Sequence, residues 1–191
     1  MNEIDLVHRL VGLVGFKPVF DVSQTEGEPL PDLETEATGD GGELVPQLLD
    51  ISDDLGVTVR IVPGDEWAHG EAKGVCKQLC LYDGQPRVEV RDRENQADIA
   101  RSLIHEYAHA LMHYDVDDEP ERSKREVEAE AVAYIVGRYY GLDTSRSAFY
   151  LASWESDDPE VVRDRLGRIS RTAKRIIDVL VACTTELPDQ T

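Results

Sequence analysis

The chain has 191 residues, with 39 Asp and Glu against 20 Lys and Arg, for a formal net charge of -19. That length suits one domain with an appendage and buries a core without covalent staples, while the charge argues against sequence-independent binding to nucleic-acid phosphates, which needs a basic surface. No apolar run approaches the ~20 residues of a membrane span, so neither a membrane nor direct nucleic-acid contact is expected.

The acidic residues are spread along the whole chain. That spread fits adaptation to a salty cytoplasm, where the charge is screened, better than a single basic partner or wholesale disorder. The first residues, MNEIDLVHRLVGLVGF, are acidic early and lack a small-residue cleavage motif, so they read as a helix and not as a signal peptide. Ile4, Val7, Leu10, Val11 and Val14 lie on one stripe of that helix, and a cytoplasmic location is expected. Residues 23–42 are rich in Glu, Asp, Gly, Pro and Thr and read as an acidic linker. The expected organisation is therefore an N-terminal helix and linker over 1–42 and a main domain over 43–191.

From Glu43 the pattern ELVPQLLDISDDLG is helical, with Gly56 as its stop. VTVRIV (57–62) follows as a strand. GVCKQLCLY (74–82) and RVEVRD (87–92) flank a turn around Asp83-Gly84 and read as a hairpin. The expected sheet is small and antiparallel. Cys76, Cys80 and Cys183 are odd in number, which argues against a disulfide framework. Cys76 and Cys80, four apart on a strand, would sit ~13 Å apart, too far to bridge, and read as small buried hydrophobes.

Beyond Asn95 the chain reads as helix. The first covers 96–113, with Ile99, Leu103, Ala110 and Leu111 as buried candidates. The second covers 122–140, closed by Gly141, with Val127, Ala131, Tyr134 and Ile135 as its inward stripe. A short segment around Ser147–Trp154, in which Trp154 reads as core, precedes a last helix over 159–182.

His105-Glu106-Tyr107-Ala108-His109 lies within the first of these helices. Residues four apart share a helix face, ~6 Å apart along the axis, so the two imidazoles can hold one Zn²⁺. Glu106 is turned about 100° from His105 and points past the metal, where a bound water would lie and a general base is needed. Catalytic zinc takes three protein ligands, and Glu126, Glu128 and Glu130 on the next helix are the candidates for the third. Glu126 and Glu130 share a face, so one can bind metal while the other orients a ligand histidine. His113 lies ~12 Å along the axis from His105, too far to converge on the same ion, and reads as a rim or substrate-side residue. The whole is an α+β domain: a small antiparallel sheet packed against a helical bundle that carries a zincin-type HExxH helix.

HEYAHALMH followed by REVEAEAVAYIV resembles the ImmA/IrrE family of zinc metallopeptidases. The run GLDTSRSAFYLASW resembles mobile-element-associated members, often found with an ArdC-like single-stranded-DNA-binding domain. The resemblance covers about residues 86–155; the first 60 residues resemble no family. It implies zinc held by His105, His109 and Glu126, with Glu106 as base. Glu128 or Glu130 takes the third position if the register shifts, and Glu130 departs from the Asp or Asn usual there. It implies a protein substrate, a repressor-like regulator of a mobile element or stress response. Tyr150, Tyr114 and His113 are the candidate oxyanion donors, Tyr150 foremost because it lies inside the resembling stretch. The competing reading is a non-catalytic regulatory or binding module of a mobile element, with the metal structural.

Overall fold

The computed structural model describes residues 36–78, 84–113, 122–144 and 159–185. The chain divides between Glu34 and Thr35, and all the described residues lie in the second unit. The helix expected over 3–14, Cys80, Tyr114, Tyr150 and Trp154 lie outside the described residues. Of the acidic linker expected over 23–42, the described part belongs to the packed body: Ala37 is buried, and Thr38 forms an antiparallel bridge with Asp143.

The described elements run α1 (Leu44–Asp50), α2 (Ser52–Leu55), β1 (Thr58–Val62), β2 (Gly74–Gln78), β3 (Pro86–Arg91), α3 (Gln96–Met112), α4 (Arg122–Tyr139) and α5 (Pro159–Thr185). The fold is α+β, with one three-stranded sheet in the order β1-β3-β2. The helix expected from Glu43 is interrupted at Ile51, and Gly56 ends it at φ 72° in the left-handed region that glycine adopts freely.

β2 and β3 pair antiparallel, as the hairpin predicts, with Gly74 opposite Val90 and Gln78 opposite Pro86. The all-antiparallel sheet is corrected: β1 pairs parallel with β3, Thr58 opposite Arg87 through Val62 opposite Arg91. The reason lies in the connection. Chain from Val62 to Gly74 carries β2 past the place where a hairpin with β1 would form, so β3 returns between them and takes both partners. β3 is central and alternates; Pro86, Val88 and Val90 are buried, and Val88 and Val90 join the same core as α3.

α3 packs against α4, β3, α1, β2 and α5. Its composition explains that position. Ala97, Ile99, Ala100, Leu103, Ile104, Tyr107, Ala108 and Ala110 are all buried, so nearly its whole circumference is apolar or small. Two polar lines interrupt it at every fourth residue: Asp98, Ser102 and Glu106, which are buried, and Arg101, His105 and His109, continued by His113 just past the end. The helix starts at Asn95, whose side chain accepts from the Asp98 backbone N–H (3.1 Å) and donates to the Ala37 carbonyl (3.1 Å). Tyr107 donates to the Leu48 carbonyl (2.6 Å) and ties α3 to α1. No described helix is long and apolar enough to cross a membrane.

The inward face of α4 differs from the expected stripe. Of that stripe Ala131 is buried, Val127 and Tyr134 are half-buried and Ile135 is 39% exposed, while Ala129, Val132, Ala133 and Val136 have essentially no exposure. Glu128 and Glu130 are buried with that face, which places two carboxylates in the packing between α4 and its neighbours.

Candidate metal centre

The polar stripe of α3 that carries His105 and His109 faces α4. His105 Nε2 and His109 Nε2 are 3.1 Å apart. Glu126 Oε2 approaches the same point, 3.4 Å from His105 Nε2 and 3.5 Å from His109 Nε2. Among the described residues, these three form a cluster whose ligand atoms all lie within 4.8 Å of one another. Donors ~2.0–2.1 Å from a tetrahedral zinc stand about 3.3 Å apart. The observed spacings bracket that value, so the donor set fits a single zinc ion with its fourth position open.

The three glutamates of α4 separate cleanly by contact. Glu126 meets the Nε2 atoms. Glu130 Oε2 lies 3.2 Å from His105 Nδ1, on the far side of the ring, and its other oxygen accepts from Arg101. Glu128 Oε2 lies 2.8 Å from His113 Nε2. His113 is buried, not a rim residue, and its Nδ1 stands 3.2 Å from His109 Nδ1. Each candidate ligand imidazole therefore has a partner on the nitrogen that faces away from Glu126, as metal-bound histidines do.

The charge balance favours a cation. Burial works against a proton on His105, but the Glu126 and Glu130 carboxylates outweigh it and raise the ring to about 9. Bonds to His105 and His109 hold Glu126 well below the usual carboxylate range. A field that holds a proton on His105 attracts a divalent ion at the same place, and such an ion displaces that proton on binding.

Glu106, one residue on from His105, is buried, yet lines an open cleft of about 490 Å³ together with Lys73, Gly74, Arg101, His105, Glu126 and Glu130. Burial pushes its carboxyl upward, His105 and His109 oppose that, and Glu126 adds to it. Gly74 on β2 makes the room: a β-carbon there would lie 2.8 Å from Glu106 Cγ. The strand is pinned beside it. Lys73 pairs with the buried Asp98 (2.9 Å), and the Lys73 carbonyl accepts from Arg93 (3.0 Å) and from the Arg91 backbone (3.0 Å).

No family model matches the chain. No solved structure matches it either. An uncharacterized protein of Bacillus anthracis is 34% identical to it over 88 residues, which is 44% of this chain and 15% of that protein. The chain thus spans a small part of that relative's length, and the likeness carries no activity or substrate with it.

Sequence reasoning missed Arg101, Gly74 and the part played by His113. Arg101 had a signal, since it stands four residues before His105 on the same stripe. Gly74 had none, because its role depends on β2 lying against α3.

Proposed function

We propose that the chain is a zinc-dependent metallo-endopeptidase of the ImmA/IrrE type, cutting a specific protein, a repressor-like regulator, in the cytoplasm. The observation that carries the reading is the convergence of His105 Nε2, His109 Nε2 and Glu126 Oε2, at mutual spacings of 3.1–3.5 Å, beside a buried carboxylate in an open cleft. A bound zinc would supply Lewis acidity to the scissile carbonyl and lower the pKa of a water in its open position to ~7.

The chain's own residues supply the rest. Glu106 accepts a proton from the attacking water as the new C–O bond forms at the carbonyl carbon, and then delivers it to the amine nitrogen as the resulting tetrahedral centre collapses and the C–N bond breaks. Glu130 fixes the ring of His105 and is itself held by Arg101. The cleft is of the size that takes a few residues of an extended chain.

The test is Glu106→Gln, with zinc content and melting temperature measured beside cleavage of denatured and repressor-like proteins. The reading expects cleavage by the wild type and a loss of about 10²–10⁴ in the variant, at unchanged zinc content. A zinc-loaded wild type that cuts nothing, and whose biological effect survives the substitution, would make this a non-catalytic module.

A further inference from the structure

The metal cluster does not end at its three candidate ligands. Behind His109 runs a file of contacts that reaches α5. His109 Nδ1 meets His113 Nδ1 at 3.2 Å, His113 Nε2 meets Glu128 Oε2 at 2.8 Å, and Arg168 donates to Glu128 Oε1 at 2.5 Å. Arg165, from the same helix, stands 3.7 Å from that oxygen. The Glu128 side chain is 1% exposed and that of His113 5% exposed.

We infer that Glu128 is a positioning residue, which through His113 sets the tautomer and orientation of His109 and so couples metal affinity to α5. The inference rests on the zinc reading above and goes beyond its ligands. If His109 Nε2 gives its lone pair to a metal, the ring's proton is on Nδ1, where it must donate. The atom it faces, His113 Nδ1, must then accept. The proton of His113 is therefore on Nε2, facing a carboxylate oxygen that can only accept. Glu128 is in turn held by the guanidinium of Arg168, which can only donate. One assignment satisfies every contact, and each proton points from α3 toward Glu128.

Without the Glu128 carboxylate the Nε2–H of His113 loses its acceptor, and only the weaker contact with His109 Nδ1 favours that tautomer. His113 with its proton on Nδ1 sets two donors against each other and drives the His109 ring off the ligand position. His105 does not depend on this file, since Glu130 reaches its Nδ1 directly. The two candidate ligand histidines are thus oriented by separate routes, one by a single carboxylate and one by a relay of two residues.

The experiment uses the full chain and three variants: Glu128→Gln, Glu128→Ala and Arg168→Gln. Zinc affinity is measured by competition with a chromophoric chelator, the His113 tautomer by ¹⁵N NMR, and the fold by melting of the metal-free proteins. The expected result is a zinc affinity at least about tenfold weaker in Glu128→Ala, with Glu128→Gln between it and wild type because the amide oxygen still accepts from His113. Arg168→Gln weakens zinc a few-fold, and its side chain is 45% exposed, so that variant reports even if the buried substitutions do not fold. Wild-type His113 carries its proton on Nε2. A folded Glu128→Ala or Arg168→Gln with unchanged zinc affinity, or a wild-type His113 protonated on Nδ1, overturns the relay alone. A wild type that takes up no zinc overturns the relay and the peptidase reading together.

Discussion

Gly74 and Glu106 fit together only because Gly74 has no side chain. A β-carbon at residue 74 would stand 2.8 Å from both Cγ and Oε1 of Glu106, closer than real contacts allow. Gly74→Ala must therefore push the carboxylate toward the cleft or shift β2. The pair Lys73–Asp98 and the bonds to the Lys73 carbonyl resist a shift of the strand, so Glu106 moves. Misplacement by about 1 Å costs on the order of a hundredfold in rate. The variant is expected to keep its zinc and lose turnover, with kcat and metal content measured on one preparation; unchanged kcat would remove Glu106 from the chemistry.

Glu130 touches His105 on Nδ1 and not at the ligand position. Glu130→Ala should weaken zinc binding by about 10–100-fold without abolishing it, whereas Glu126→Ala removes a proposed ligand and should do far more. Chelator competition on the two variants separates the roles. Equal losses would mean that the glutamates are interchangeable and the assignment of Glu126 is wrong.

Burial, with a further push from the Glu106 charge, raises the Cys76 thiol to about 12. A thiol reacts as its thiolate, and a raised pKa leaves little thiolate at neutral pH. Labelling of Cys76 by iodoacetamide should be slow at pH 8 and should climb about tenfold per pH unit toward pH 11, so long as the fold persists. Mass-spectrometric mapping of alkylation against pH reads this directly. A labelling rate that levels off near pH 9 would show a solvated thiol.

The hydroxyl of Tyr107 donates to the Leu48 carbonyl at 2.6 Å, and both residues are fully buried. Tyr107→Phe leaves that carbonyl without its donor, which costs about 1–3 kcal/mol. In a domain of this size each kcal/mol lowers the melting temperature by roughly 2–4 °C. The loss should appear in thermal melts while zinc affinity stays within a factor of two or so (about 0.4 kcal/mol). A zinc affinity that falls with stability would show that α1 and the metal centre are coupled.

The long helices of the described residues were legible because their periodicity is sustained, and glycines at 56 and 141 mark where two helical stretches stop. The bounds of α3, α4 and α5 fall within about three residues of those expected. The pair His105 and His109 was legible because helix geometry alone sets their spacing. Pairing between distant elements was not. β1 carries the same alternation whether its partner runs parallel or antiparallel, so only the structure reveals its register with β3.

The inward face of α4 was misread for a related reason. Alanine marks a buried face weakly, and the acidic residues Glu128 and Glu130 pointed toward solvent by type. Their burial depends on partners supplied by other helices: His113 and Arg168 for Glu128, His105 and Arg101 for Glu130. His113 read as a rim residue because its carboxylate lies fifteen positions away on α4. The choice among three glutamates needed the same tertiary information.

The most direct test is a crystal of the zinc-soaked full chain measured above and below the zinc absorption edge. The account predicts one strong anomalous peak, bounded by His105 Nε2, His109 Nε2 and Glu126 Oε2, ~2.0–2.2 Å from each. No peak at that point, or a peak bound by other residues while both imidazoles stay free, would contradict it.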